Sequence, residues 1–324
     1  MSGLFSRAIS LFTDSRLPIY YPFNLARWHS LRKRMDKVEL GSRPALDVLF
    51  TVDVEDDYIE EGDEQRRKAD CVIPFLKKVN GFFAEQGIRA TLFVQGNLVC
   101  RAAEDIHSLG NDHEIALHGH AHELWGSSWF VKNSPPPPEE RKDNLTKSLR
   151  AFANAGLPRP LSFRAPRMIL DDTSFGLLKA ACFSIDSSFP SYAGGAPVLA
   201  MREGVAEVPV SFDPRPAFRR SLAARYAMFN THNIATGAFT DGIVAAAMRL
   251  AKVQALSGQR PFIVSYSHDW EFFRPPEWAD PAKYGFSSEK NFGVLADALG
   301  ALRKAFSLRF MTMQEFVRSR NAIS

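Results

Sequence analysis

The chain is poor in cysteine and histidine and contains no long apolar run. Its 324 residues include three cysteines, Cys71, Cys100 and Cys182, an odd number without a CxxC pair. This argues against a disulfide framework and for a reducing compartment. No apolar run approaches the roughly 18 residues of a membrane-spanning helix, and the opening segment is interrupted by Arg7, which argues against a signal peptide. We therefore expect a cytoplasmic protein.

Positive charge is concentrated at the N-terminus. Residues 1–43 hold eight lysines and arginines against three acids, whereas the whole chain has a formal net charge of +4. We treat residues 1–43 as a basic N-terminal arm and residues 44–324 as a single further domain. In the arm, steps of three and four residues separate Leu25, Trp28, Leu31, Met35 and Val38. This spacing predicts an amphipathic helix, which either docks on its own domain or lies peripherally on the inner face of an anionic membrane.

From residue 44 onward, β-branched runs alternate with helical patterns. The predicted strands include ALDVLFTVDV (45–54), RATLFVQG (89–96), HEIALHGH (113–120) and FIVSYSH (262–268), and a helix closed by Gly87 separates the first two. Such alternation predicts an α/β protein with a parallel sheet, open or closed into a barrel.

Polar residues recur where these strands end. They are Asp53, His118, Arg164, Asp186 and His268. Because ligands bind at the carboxyl ends of parallel strands, we expect these five residues to share one site.

Three of the eight histidines fall within HGHAH, residues 118–122. His118 and His122, four residues apart, can both bind one metal ion, and a carboxylate beside them would leave coordination positions open for water and substrate. Asp53 and Glu55 point the same way on an extended strand, so one could bind the metal while the other accepts a proton from water. His268 is a candidate general acid, and Arg164 could hold an anionic Asp53 through paired hydrogen bonds.

In their order, these motifs resemble the polysaccharide deacetylase family, the NodB-homology domain of family 4 carbohydrate esterases. TVDVED resembles the first motif in an Asp-x-acid variant, HGHAH the second, FRAP the third, IDSSF the fourth and SYSHDWEF the fifth. The resemblance implies a deformed (β/α) barrel that follows the helical arm.

The resemblance also implies a role for each residue. Asp53 is the catalytic base, Glu55, His118 and His122 are the ligands of a divalent metal such as Zn²⁺, and His268 is the acid. Arg164 orients the base, Pro166 shapes the groove wall, and Asp186 is a partner of the acid. His120 occupies a variable position and is expected to point away.

The sequence departs from the family pattern in three places. Gly119 replaces a hydroxyl residue of the second motif, and Glu55 replaces the commoner Asp, which leaves Asp56 as an alternative ligand. A long insert near residues 212–250 carries a group of arginines, Arg215, Arg219, Arg220 and Arg225. These form either a phosphate-binding surface or a solvated one. Trp125, just beyond the histidines, either walls the sugar site or belongs to the core.

The resemblance implies a metal-dependent hydrolase that removes an N-acetyl group from an amino sugar. With the basic arm and the arginine insert, we expect a nucleotide-linked or lipid-linked intermediate of surface-polysaccharide biosynthesis. Two alternatives remain: a deformylase or other linear-amide hydrolase, and a carbohydrate-binding pseudoenzyme. Nucleic-acid binding has little support, because the basic residues are confined to the arm and the insert.

Overall fold

The computed structural model describes residues 17–56, 71–128, 131–191, 198–218, 224–277 and 279–321. Residues 1–16 of the predicted arm, together with Arg219 and Arg220 of the insert, lie outside the described residues.

Eight parallel strands and one antiparallel strand form a single curved sheet. Its strands are β1 (Ala45–Val54), β2 (Ala90–Val94), β3 (Glu114–Leu117), β4 (Ser162–Phe163), β5 (Ile185–Asp186), β6 (Ala200–Arg202), β7 (Val205–Glu207), β10 (Phe262–His268) and β11 (Ser307–Phe310), and a separate hairpin contains β8 (Ala217–Phe218) and β9 (Ala224–Arg225). The order across the sheet is β10-β1-β2-β3-β4-β5-β7-β6, with β11 also paired to β1 and β6 antiparallel to β7. The predicted boundaries of β1 and β10 agree with those observed.

The two faces of β1 pack against different cores, because side chains alternate along a strand. Phe50, Val52 and Val54 pack outward in the core beneath the surrounding helices. Leu49 lies in a second core inside the curved sheet, with Phe93 of β2 and Val264 of β10. Thr51 and Asp53 point to the same inward side of the strand as Leu49. The same alternation therefore places Asp53 at the inner mouth of the sheet.

Residues after β7 close the sheet toward β10. The Ser211 amide donates to the Val264 carbonyl at 3.1 Å, and the Val264 amide donates to Ser211 Oγ at 2.9 Å. The predicted deformed (β/α) barrel is confirmed, with the strand ends that carry Asp53 and His268 at one mouth.

Ten α-helices among the described residues surround the sheet. They are α1 (Tyr21–Met35), α2 (Val72–Gln86), α3 (Ala103–Ser108), α4 (Pro138–Asn154), α5 (Asp172–Ala180), α6 (Thr231–Ala235), α7 (Ile243–Leu256), α8 (Pro281–Tyr284), α9 (Lys290–Ala305) and α10 (Met313–Asn321). Helix α2 ends at Gly87, whose φ of 59° is the left-handed cap expected at that position. No helix in the described part of the chain is long and apolar enough to cross a bilayer.

The predicted arm helix is present and docks on the domain. Met35 is buried, Leu31 is half-buried, and the Met35 carbonyl accepts a hydrogen bond from Lys252 of α7. The helix ends at Met35, so Val38 follows it instead of extending its apolar face. Of the two alternatives for this apolar face, the structure therefore shows docking on the protein.

Candidate metal and catalytic site

Asp53 and Glu55 occupy the carboxyl end of the central strand β1. In the register of the sheet, Asp53 pairs with His268 of β10 on one side and with Phe93 of β2 on the other. Both carboxyl side chains are 1% exposed, so each needs partners within the protein.

A tight turn after β3 brings His118 and His122 together. Gly119 has a φ of 66° and His122 a φ of 61°, both in the left-handed region. A Cβ atom at Gly119 would lie 3.1 Å from Pro166 Cγ and 3.3 Å from Trp125 Nε1. The turn therefore favours glycine at position 119, where a larger residue would be both strained and crowded.

Glu55 lies between the two histidines. Its Oε2 atom is 2.9 Å from His118 Nε2 and 2.9 Å from His122 Nε2. His118 Nδ1 lies 3.0 Å from the Arg164 carbonyl, which can accept a hydrogen bond from a protonated Nδ1 and so leave Nε2 free to bind a metal. One donor atom from each residue lies within 4.8 Å of the other two. Two imidazole nitrogens and one carboxylate oxygen match a catalytic zinc site, so the residues present fit a divalent metal.

Arg164 anchors Asp53 from inside the barrel. Its Nη1 donates to Asp53 Oδ1 at 2.8 Å and to Thr51 Oγ1 at 2.9 Å. Its other donors reach the carbonyl and hydroxyl of Ser187, and its guanidinium lies over the Phe93 ring. Arg164 thus contributes one hydrogen bond to Asp53 where a pair was expected. The second Asp53 oxygen, Oδ2, lies 3.6 Å from His118 Nε2 and faces the metal-binding residues.

His268 borders the same space. Its Nε2 is 3.5 Å from Glu55 Oε1 and 2.6 Å from the Tyr266 hydroxyl, and its ring stacks on Trp270. Its Nδ1 lies 3.0 Å from Glu271 Oε1. Burial lowers the pKa of His268, but the negative charges of Glu55 and Glu271 outweigh it and raise that pKa to about 9.

Burial and neighbouring charges also act on the Glu55 carboxyl. Burial alone would raise its pKa, but the nearby His122 and His268 outweigh burial and hold the pKa well below its usual range. The indole of Trp270 donates to Glu55 Oε1 at 3.1 Å. The Glu55 backbone amide donates to Asp269, whose own carboxyl pKa burial raises well above its usual range.

Asp186 does not contact His268, in contrast to the expectation that it is a partner of the acid. Asp186 lies on β5, where it is the register partner of Glu207 on β7. Asp186 is fully buried there and accepts hydrogen bonds from the amide and hydroxyl of Ser188. The carboxylate beside His268 is instead Glu271.

Three further candidates lie at the edge of the site. Trp125 is fully buried against Phe163, which corresponds to the core alternative and not to an exposed sugar wall. Pro166 is buried beside Gly119 and supports the histidine turn from behind. His120 points toward Ser148 of α4, with its Nδ1 3.1 Å from the Ser148 hydroxyl.

Asp56 is directed away from the histidines. Its Oδ2 atom pairs with Arg101 at 2.6 Å, and its backbone amide donates to Gln95. The residue that shares the candidate metal cluster with His118 and His122 is Glu55.

Four residues of the site were not identified from sequence: Tyr266, Asp269, Trp270 and Glu271. All four lie within three positions of His268, in the strand end and the 3₁₀ turn Asp269–Glu271. A signal was present, because a carboxylate three residues from a candidate acid is within reach of its ring in such a turn.

Comparison with known proteins supports the resemblance. Residues 70–184 match the family model described as polysaccharide deacetylase. This span holds the histidine turn and Arg164, whereas Asp53, Glu55 and His268 lie outside it. No curated protein matches the chain.

Several solved structures are similar to this chain in fold. A candidate polysaccharide deacetylase from Mycobacterium smegmatis is 19% identical with a TM-score of 0.57, over 88% of this chain and 93% of that one. A family 4 carbohydrate esterase from Streptomyces lividans is 14% identical with a TM-score of 0.41, over 85% and 96% of the two chains. A peptidoglycan deacetylase from Bacillus subtilis is 10% identical with a TM-score of 0.44, over 88% and 95%. The first likeness supports the barrel across most of the chain.

Proposed function

Since the chain carries a segment of the polysaccharide deacetylase family, hydrolases of carbon–nitrogen bonds, we propose that it is a zinc-dependent enzyme that removes an N-acetyl group from an amino sugar. One observation carries the proposal: the Glu55–His118–His122 cluster lies beside an arginine-anchored Asp53. Two histidines and one carboxylate are a ligand set of catalytic zinc.

Glu55, His118 and His122 would hold the metal. A bound divalent ion supplies Lewis acidity, which polarises the amide carbonyl and makes water more acidic. Asp53 is the general base: Arg164 occupies its Oδ1, and its Oδ2 faces the cluster and takes the proton of the attacking water. His268 is the general acid, because its Nε2 lies at the cluster, 3.5 Å from Glu55, and delivers a proton to the departing amine.

The test combines metal content with acetate release from N-acetylated sugars that are free, nucleotide-linked or lipid-linked. We expect Asp53→Asn to retain the metal and lose at least about 100-fold in kcat, since it removes the general base. Glu55→Gln should lose metal, whereas Asp56→Asn, which removes a carboxylate paired with Arg101, should retain it.

Three outcomes would contradict the proposal. A fully active Asp53→Asn enzyme would remove the base assignment. Release of formate instead of acetate would favour a deformylase. A chain without bound metal, whose sugar binding survives His118→Ala, would indicate a pseudoenzyme.

For the substrate, we propose an anionic or lipid-linked intermediate of surface-polysaccharide biosynthesis, handled at the inner face of the membrane. Arg225 is exposed on the β8–β9 hairpin, which supports a phosphate-binding role. Arg215 does not add to this surface, because its guanidinium donates to Asp241 and Thr240.

For the membrane contact, we propose the outer side of the arm. Ile19 is 66% exposed and Phe23 is 62% exposed, and the basic residues Arg32, Lys33, Arg34 and Lys37 are exposed along the same segment. A segment with exposed apolar residues at one end and exposed basic residues at the other suits peripheral binding to anionic lipid.

A further inference from the structure

We infer that Glu271 is the positioning residue of the general acid, in the role for which the sequence favoured Asp186. The inference rests on the proposed function, because it assigns a carboxylate that holds His268 for the deacetylation step. Its basis is the geometry of the 3₁₀ turn that follows β10.

Glu271 reaches one side of the His268 ring and leaves the other side to the site. Glu271 Oε1 is 3.0 Å from His268 Nδ1, and the opposite ring nitrogen, Nε2, lies 2.6 Å from the Tyr266 hydroxyl and 3.5 Å from Glu55 Oε1. A carboxylate that accepts a hydrogen bond from Nδ1–H fixes the orientation of an imidazole, so that its second nitrogen faces the reacting atoms.

Glu271 is itself held by the fold. It is 1% exposed, its Oε2 accepts the backbone amide of His232 at 3.2 Å, and its carbonyl accepts the side chain of Asn291 at 2.7 Å. The His268 ring in turn stacks on Trp270 with centroids 4.1 Å apart. A carboxylate with its own fixed partners holds the ring without reorganising during the reaction.

His232 is the second residue of α6, a helix in the long insert between β7 and β10. The insert therefore supports the acid through Glu271. The carboxylate beside the acid thus comes in this chain from the 3₁₀ turn after β10 and not from β5.

The acid is needed for a poor leaving group and not for a good one. Expulsion of a sugar amine requires a proton on nitrogen, whereas 4-nitrophenolate leaves without one. Loss of the positioning carboxylate should therefore reduce turnover of an amide and spare an activated ester, while general damage to the site should reduce both.

The experiment compares Glu271→Gln with Asp186→Asn on two probes, an N-acetylglucosamine oligosaccharide and 4-nitrophenyl acetate, with rates of Asp53→Asn subtracted as background. For Glu271→Gln we expect kcat on the amide to fall about 100-fold and kcat on the ester to fall less than about 3-fold. For Asp186→Asn we expect the ratio of amide to ester rates to stay at its unaltered value. Equal losses on both probes for Glu271→Gln, or a ratio that falls in Asp186→Asn instead, would overturn the inference.

A second measurement is independent of turnover. In the full chain labelled with ¹⁵N-histidine, the Nδ1 resonance of His268 should shift in Glu271→Gln and keep its position in Asp186→Asn. An unmoved resonance in Glu271→Gln overturns the inference. Absence of turnover on both probes by the unaltered protein would contradict the proposed function. The spectrum would then still test whether Glu271 contacts His268, independently of any activity.

Discussion

Gly119 determines whether the two candidate histidine ligands can meet. At its φ of 66°, a residue with a side chain would destabilise the backbone by about 1–2 kcal/mol relative to glycine. A Cβ atom at this position would also lie too close to Pro166 and Trp125. Gly87 has a similar φ of 59° with nothing within 4 Å of the Cβ position. The two glycines therefore separate the cost of backbone conformation from the cost of crowding.

We expect Gly119→Ala to lower the free energy of unfolding by about 1–3 kcal/mol more than Gly87→Ala, because crowding adds to the backbone cost. Gly119→Ala should also weaken zinc binding, since the turn that joins His118 to His122 must shift. Denaturant unfolding and competition with a chelator measure the two effects. Equal destabilisation, with zinc affinity unchanged in both variants, would contradict this account of the turn.

At the scale of single residues, the sequence best predicts the relative placement of residues that lie on the same strand. Strand periodicity places Asp53 and Glu55 on one side, and both approach His118 in the structure. Asp186 was assigned by its order along the chain, which carries no information on how far β5 lies from β10. Its neighbours in the fold, Ser188 and the paired Glu207, are defined only once β5 and β7 are placed side by side.

At the scale of elements, α1 shows what amphipathic spacing can and cannot predict. The spacing identifies the helix and its inner side, where Met35 is buried. It does not identify the exposed pair Ile19 and Phe23, because Ile19 precedes the helix in a 3₁₀ turn, Pro18–Tyr20. The proposed membrane contact therefore relies on this exposed pair, and not on the predicted apolar side, which docks on the protein.

We expect Ile19→Ser combined with Phe23→Ser to lower binding to phosphatidylglycerol vesicles about tenfold, since even partial burial of two such side chains is worth more than 1 kcal/mol. Sedimentation with vesicles measures the bound fraction. Met201→Ser is the matched control, because Met201 is also 62% exposed but lies on β6, outside the arm. Membrane contact through the arm would be wrong if the double variant and the control bound alike, or if neutral phosphatidylcholine vesicles bound the unaltered protein equally well.

At the scale of the whole molecule, alternating strands and helices predict a parallel sheet, open or closed, and the family resemblance implies the barrel. They could not predict its closure by residues after β7, because the Ser211–Val264 contact joins segments 53 positions apart. That side of the barrel also contains a pair of buried carboxyls, Asp186 on β5 and Glu207 on β7, which are directly paired in the sheet register. Their ionisation links the stability of the fold to pH.

We expect Glu207 to hold a proton in the folded protein at pH values where the unfolded chain has released it. Burial raises its pKa well above the usual 4.5, and the adjacent Asp186 raises it further, against a smaller opposing effect of Arg202. Among the described residues no donor reaches Glu207 Oε2, so a proton on that carboxyl, donated to Asp186, satisfies both groups. Burial raises the pKa of Asp186 as well, although its contacts with Ser188 and the charge of Arg164 oppose this.

This proton makes the fold less stable as pH rises. Below about pH 4.5 the folded and unfolded states both carry it, and above that value the unfolded chain releases it while the folded protein retains it. The free energy of unfolding then falls by up to about 1.4 kcal/mol per pH unit until the folded carboxyl ionises.

Glu207→Gln keeps the shape and a donor toward Asp186 but cannot ionise, so we expect its stability advantage over the unaltered protein to grow from pH 5 to pH 8. Denaturant unfolding at each pH measures the difference, in which the pH dependence of every other group largely cancels. Glu203→Gln, an exposed acid in the turn that joins β6 to β7, should follow the unaltered protein at every pH. A constant difference between Glu207→Gln and the unaltered protein would show that Glu207 is ionised in the fold, and Asp186 and Glu207 would then be held together as two charges by Arg164 and Arg202.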